Sequence, residues 1–214
     1  MYANISGLSR SYFFFSIVLL AVVINYAIQS TLITETVFFN TYTATMDSER
    51  INELFHNIKH YQLICYLSIP VLLIIKIAYN TFALTIRTLL APGEYGFATN
   101  FNVCLKAEMV FTAMLLVKAV WLLFFARVDT VGDLNFMPLA VADLFHMKDL
   151  PKWAVYPLQT LNLWEALYCY TGSILMATQY KLSLKKAAGL FCSGYLGGTL
   201  VIMIIAVFLG IIFN

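Results

Sequence analysis

Five apolar stretches, each about as long as a lipid bilayer is thick, dominate this chain: 12–28, 62–79, 107–126, 158–178 and 187–213. A hydrocarbon core of roughly 30 Å is crossed by about 20 mostly apolar helical residues. A water-soluble domain carries about 25% charged residues, whereas this chain has 11%, with 61% hydrophobic. Such a composition cannot wrap one core in a polar surface. The sequence therefore predicts an integral membrane protein, all-α, folded as a polytopic transmembrane helix bundle of five spans, with residues 1–214 forming a single transmembrane domain. No segment between spans reaches the roughly 50 residues of an independent domain, so any chemistry is expected in or beside the membrane. The first stretch is too long for a signal-peptide core and lacks a small-residue cleavage pattern, so it is expected to stay as a helix.

Charge partition orients the bundle. With the N-terminus inside, the inner segments hold Arg10, Lys76, Arg87, Lys106, Lys181, Lys185 and Lys186 against Glu94 and Glu108. The outer segments, about 30–60 and 128–156, together with Arg127 at the edge of the second, hold five basic residues against eight acidic ones. The Lys and Arg bias predicts an N-inside, C-outside topology. Apolar residues continue past Lys76, which can snorkel to the headgroups, and extend the second span to residue 91, where Pro92-Gly93 ends it. Pro70 is expected to kink that span.

The first outer segment contains an amphipathic pattern from Asp47 to His60: Ile51, Leu54, Phe55 and Ile58 share one face, and Glu49, Glu53, His56 and His60 the other. A helix lying on the membrane surface or on the bundle is expected there. In the second outer segment, Trp153 and Tyr156 read as interfacial anchors at the start of the fourth span.

Charge inside hydrocarbon is the first place to look for function. Lys118 precedes Arg127 by nine residues and Glu165 follows Tyr156 by nine. If those two spans run antiparallel as unbroken helices, the two side chains share a depth and form an intramembrane charge pair. Such a pair either fixes how two helices dock or serves as an ion or proton relay. The Glu49, Glu53, His56 and His60 stripe is a weak metal candidate, since a Glu-x-x-His step can share an ion but one short helix supplies ligands from one side only. No metal and no cofactor are expected.

No nucleophile with a nearby base, Gly-x-Ser-x-Gly, His-Glu-x-x-His or phosphate-binding glycine loop is recognisable, and His146 is the one histidine outside the stripe. A non-enzymatic role follows. Gly194 and Gly198, spaced as Gly-x-x-x-Gly within the fifth span, are expected to allow close helix packing. Lys181, Lys185 and Lys186 form a small basic turn suited to lipid headgroups or a partner, and too small for nucleic acid. Cys65, Cys104, Cys169 and Cys192 show no Cys-x-x-Cys or metal-ligand spacing and read as packing residues.

Three short motifs carry a family resemblance. They are Leu89-Leu90-Ala91-Pro92-Gly93-Glu94-Tyr95-Gly96-Phe97 at the close of the long second span, Leu161-Asn162-Leu163-Trp164-Glu165 at the fourth, and Leu182-Ser183-Leu184-Lys185-Lys186-Ala187-Ala188 in the basic turn. Over about residues 61–214 the order of these motifs resembles the Yip (Ypt-interacting protein) family of five-span membrane proteins. The resemblance implies a five-helix bundle associated with membrane organisation or with a larger complex. The expectation is a bacterial inner-membrane scaffold or accessory subunit whose partners are membrane lipids and other membrane subunits or further copies of itself. The alternative is a transporter or channel component that uses Lys118 and Glu165.

Overall fold

The computed structural model describes residues 10–145 and 151–212. His146 and the expected end of the last span at Phe213 lie outside them. Eight α-helices follow in order among the described residues: α1 (Arg10–Leu32), α2 (Glu35–Tyr42), α3 (Ser48–Leu89), α4 (Phe97–Ala107), α5 (Met109–Phe124), α6 (Lys152–Thr160), α7 (Leu163–Tyr180) and α8 (Leu184–Ile212). There is no strand among them, and one isolated antiparallel bridge joins Ala140 to Asn162.

Among the described residues four stretches are long and apolar enough to cross a membrane: Arg10–Leu32, Ser48–Leu89, Phe97–Phe124 and Leu184–Ile212. Their apolar side chains are largely exposed, among them Leu63, Leu67, Phe82, Phe124, Leu200 and Phe208. In water such faces would be costly; in hydrocarbon they are the solvated surface.

The helix boundaries revise the expected ones in three places. The amphipathic helix and the second span are one helix, α3, of 42 residues. At 1.5 Å per residue this is about 63 Å. No Gly or Pro interrupts it between Ser48 and Ile69, so nothing stops the helix where the apolar pattern begins. The third long apolar stretch starts at Phe97 rather than residue 107, which brings Lys106 inside it and moves Glu108 from its edge to its interior. The expected fourth span is divided: α6 ends at Thr160, Leu161 is extended, and Asn162 caps α7 by accepting from the Glu165 amide at 2.9 Å.

The chain forms two compact units, Met1–Phe14 with Ile74–Phe111 and Met137–Asn214, and Phe15–Leu73 with Thr112–Phe136. In the second of these, Ile24 and Ile28 pack on Ala119 with Leu32, Leu115 and Leu134 around them. A further cluster joins Phe38 to Ile51 and Phe55, the predicted apolar face of the first turns of α3. The Phe38 and Phe55 rings meet edge to face at 5.4 Å. Thr34 caps α2 at the Val37 amide, and Val131 donates its amide to Thr41 Oγ1 at 2.9 Å.

In the first unit α7 packs on α8 and α4, and α6 packs on α8. The buried stripe of α3 here is Ile77, Asn80, Thr81, Leu84 and Thr88, one helical face. Small residues bring the helices close. A Cβ on Gly194 would stand 3.1 Å from the Leu84 backbone, and one on Gly198 would stand 2.9 Å from the Ala83 Cβ. Because Gly198 has no side chain, its carbonyl is open to the Tyr79 hydroxyl, which donates to it at 2.8 Å. Gly93, with φ of 137°, makes the turn after α3 that other residues rarely adopt.

Candidate functional site

Several polar groups of the first unit meet between its helices. Glu108 sits in the single-residue break between α4 and α5. It lies 11 residues from Phe97, about 16 Å along the helix, and so falls well inside the Phe97–Phe124 stretch that is long and apolar enough to cross a membrane. Lys76 of α3 reaches it, with Nζ 2.6 Å from Glu108 Oε1. The same Nζ lies 3.5 Å from the centroid of the Phe111 ring, a cation–π contact that strengthens as water is excluded. Lys76 was expected to snorkel to a headgroup; instead it is paired.

From Phe111 the cluster continues through aromatic rings. Phe111 and Tyr168 are 4.9 Å apart between centroids, and Tyr168 and Tyr195 are 4.5 Å apart. Tyr168 is completely buried, and its hydroxyl accepts from Asn80 Nδ2 at 3.4 Å. Tyr195 of α8 donates its hydroxyl to Glu165 Oε2. Two carboxylates and one ammonium, with two tyrosines and an asparagine, thus form one connected cluster fed by α3, the α4–α5 break, α7 and α8. A buried ion costs several kcal/mol unless it is paired and hydrogen-bonded, which is the condition met here by Lys76 and Glu108.

A second polar knot ties α3, α4 and α7 together at another level. Asn100 Nδ2 lies 3.2 Å from both Thr85 Oγ1 and Thr88 Oγ1, and the Tyr180 hydroxyl donates to Asn100 Oδ1 at 2.9 Å. The Gly96 amide donates to the same hydroxyl at 3.2 Å. Asn100 is fully buried. Nearby, Arg87 Nε donates to Ser193 Oγ at 2.8 Å.

Beside Glu165 opens a groove of ≈ 780 Å³ walled by Leu163, Ala166 and Cys169 of α7 and by Leu184, Ala188 and Leu196 of α8. Its outer wall is the 139–141 segment, held to the turn before α7 by Val141 N to Leu161 O at 2.8 Å.

The remaining predicted residues lie as follows. The depth match of Lys118 with Glu165 required an unbroken helix from Tyr156. The break at Leu161 and Asn162 removes that premise and places Glu165 in the first turn of α7. Within its own unit Glu165 is bonded to Tyr195, while Lys118 belongs to the other unit. Glu49, Glu53, His56 and His60 are exposed along α3, and no three His, Cys, Asp or Glu residues among the described ones come together to hold a metal ion. Of the basic turn, Lys181 ends α7 with φ of 52° and Lys186 Nζ reaches the Pro92 carbonyl at 3.5 Å; Lys185 is exposed. Cys104 and Cys169 are buried, Cys192 is intermediate and Cys65 is exposed.

Sequence reasoning missed Glu108, Asn80, Asn100, Tyr168, Tyr180 and Tyr195. A signal was present: Lys76, Asn80 and Thr81, Thr85 and Thr88 recur at three to five residues along an otherwise apolar helix. That is a polar stripe on a helix long and apolar enough to cross a membrane. No protein-family model, curated protein or solved structure matches the chain.

Proposed function

We propose that this protein is a non-enzymatic integral membrane scaffold or accessory subunit, a Yip-like bundle of the bacterial inner membrane in which α7 supplies the fifth crossing of an N-inside, C-outside topology. One observation carries the reading: the polar side chains of the first unit bind helix to helix, as in Lys76 with Glu108, Asn100 with Thr85, Thr88 and Tyr180, and Tyr195 with Glu165. Polar bonds across helices in hydrocarbon act as assembly contacts. A helix enclosed by others needs less hydropathy than one facing lipid, which suits α7, where Tyr168, Cys169, Gly172, Ser173 and Met176 are all buried. Partners are other membrane subunits or further copies of this chain. Crosslinking in native membranes, followed by purification in mild detergent, tests this. The expected result is a discrete membrane-protein neighbour or a homo-oligomer; a monomer without neighbours contradicts the proposal.

A transport role is the second reading, favoured by the two carboxylates, Glu108 and Glu165, that share the aromatic cluster with Lys76. Intramembrane ionisable residues mark ion and proton paths. Flux into proteoliposomes that is lost in Glu108→Gln and in Glu165→Gln, with folding retained, would select it over the scaffold. Equal leakage through wild type and variants excludes it.

A further inference from the structure

The second unit contains a cavity of ≈ 520 Å³ at the Leu32 end of α1, lined by residues of α1, α2, the turn between them and the 55–62 portion of α3. The volume lies within the usual range of small-ligand sites, about 300–1,000 Å³. Its position follows from helix length. The 23 residues of α1 reach about 34 Å, so their end lies where a roughly 30 Å hydrocarbon core meets the headgroups.

The lining is of two kinds. Ile33, Phe55 and Ile58 make an apolar floor, while Glu35 and Lys59 bring opposite charges to the same cavity. Among the described residues the ion pair is Lys76 with Glu108, and Glu35 and Lys59 do not close on each other. Lys59 is instead held with Nζ 4.6 Å from the Phe55 ring centroid. Gln62 Nε2 donates a hydrogen bond to Gln29 Oε1 at 3.2 Å and also to the Tyr66 hydroxyl at 2.7 Å, so the amide wall is ordered. A cavity that holds separated opposite charges above an apolar floor matches a dipolar ligand with a hydrocarbon tail.

We propose that this cavity binds the headgroup of a zwitterionic phospholipid carrying a primary ammonium, with the phosphate at Lys59 and the ammonium at Glu35. Charge-assisted hydrogen bonds hold both ends. A primary ammonium donates to a carboxylate such as Glu35, whereas a quaternary one has no N–H to donate and relies on open aromatic faces; of the two aromatic residues that line the cavity, Phe55 already faces Lys59 and Tyr26 packs beside Tyr66. The tail follows Ile33 and Ile58 toward the bilayer. The chemistry that is recognised, a phosphate bonded through two carbons to an ammonium, also exists as soluble phosphorylethanolamine; the apolar floor and the depth assign the lipid. This inference rests on the membrane reading above.

The test uses the full chain, first floated with vesicles and then placed in nanodiscs of phosphatidylethanolamine, phosphatidylcholine or phosphatidylglycerol. Lipid retained on the protein is measured by native mass spectrometry, with soluble phosphorylethanolamine as a separate competitor. The expected result is preferential retention of phosphatidylethanolamine, reduced about tenfold in Lys59→Gln and in Glu35→Gln, and kept in Lys59→Arg. Helical circular dichroism identifies any variant that has unfolded, and for such a variant Lys59→Arg and the three-lipid comparison on the wild-type chain decide. Equal retention of all three lipids, or phosphatidylethanolamine retention unchanged by Glu35→Gln, overturns the proposal. Competition by millimolar phosphorylethanolamine without lipid retention reassigns the site to a soluble ligand and overturns the lipid claim. A chain that fails to float refutes the membrane reading itself, whereas one that floats and holds no phosphatidylethanolamine refutes only the site.

Discussion

Replacing Lys76 by Met would leave the Glu108 carboxylate buried without its ammonium, and replacing Glu108 by Leu would leave Lys76 above the Phe111 ring without its counter-ion. At the observed 2.6 Å the gross attraction is about 6 kcal/mol for an effective dielectric constant of 20. Desolvation takes back several kcal/mol per ion. The side chain of Glu108 is only 3% exposed, while that of Lys76 is 41% exposed. If Lys76's exposed part met water, screening would reduce the coupling below about 1 kcal/mol. Against lipid it does not. The account therefore expects each single substitution to cost about 3–5 kcal/mol, and Lys76→Met with Glu108→Leu together to cost under about 2 kcal/mol. Reversible unfolding in dodecyl maltoside with increasing dodecyl sulfate, followed by circular dichroism, reads the cycle. A double variant whose loss equals the sum of the singles within about 0.5 kcal/mol would refute the argument that Lys76 neutralises the buried Glu108.

Other expectations follow from single contacts. A Cβ on Gly172 would stand 2.1 Å from the Phe191 ring, so Gly172→Ala is expected to lose about 1–3 kcal/mol in the same titration and to regain most of it with Phe191→Leu; no rescue would place the cost elsewhere. Tyr180→Phe removes the hydroxyl shared by Asn100 and the Gly96 amide, an expected loss of about 1–3 kcal/mol, and amide hydrogen exchange at Gly96 should rise with it. Lys181 holds the left-handed position that ends α7, so Lys181→Gly is expected to raise stability by about 1 kcal/mol, seen as a higher midpoint; an unchanged or lower midpoint would refute this.

The sequence was most legible where a helix meets lipid on most of its surface. α1 and α8 are apolar over most of their length, and their boundaries fall within a few residues of the expected ones because length and hydropathy are the main requirement. Enclosed segments were harder. Residues 97–106 contain Asn100, Asn102 and Lys106 and read as a loop, yet Asn100 is satisfied by Thr85, Thr88 and Tyr180, so its polarity costs little. The same enclosure explains α7, where Tyr168 is buried against protein, while the depth assigned to Glu165 depended on a helix that Asn162 restarts. The fusion of the amphipathic segment with the second span illustrates a different point: a change from a polar-faced to an apolar pattern at Tyr61 marks a change of surroundings, and only a breaker residue marks the end of a helix. The site was partly visible as a polar stripe on α3, but its partner at residue 108 lies on another element, and one chain's pattern carries no pairing.

The most direct test of the whole account is the solvent that touches the exposed apolar faces. Single nitroxide labels at Leu67, 64% exposed on α3, and at Leu200, 58% exposed on α8, can be read by electron paramagnetic resonance in reconstituted bilayers with oxygen and a water-soluble nickel chelate as competing relaxants. The account predicts strong relaxation by oxygen and almost none by the chelate at both positions. Strong relaxation by the chelate at both would mean that water covers these faces, and the description of the molecule as a membrane bundle with a paired intramembrane charge cluster would fail.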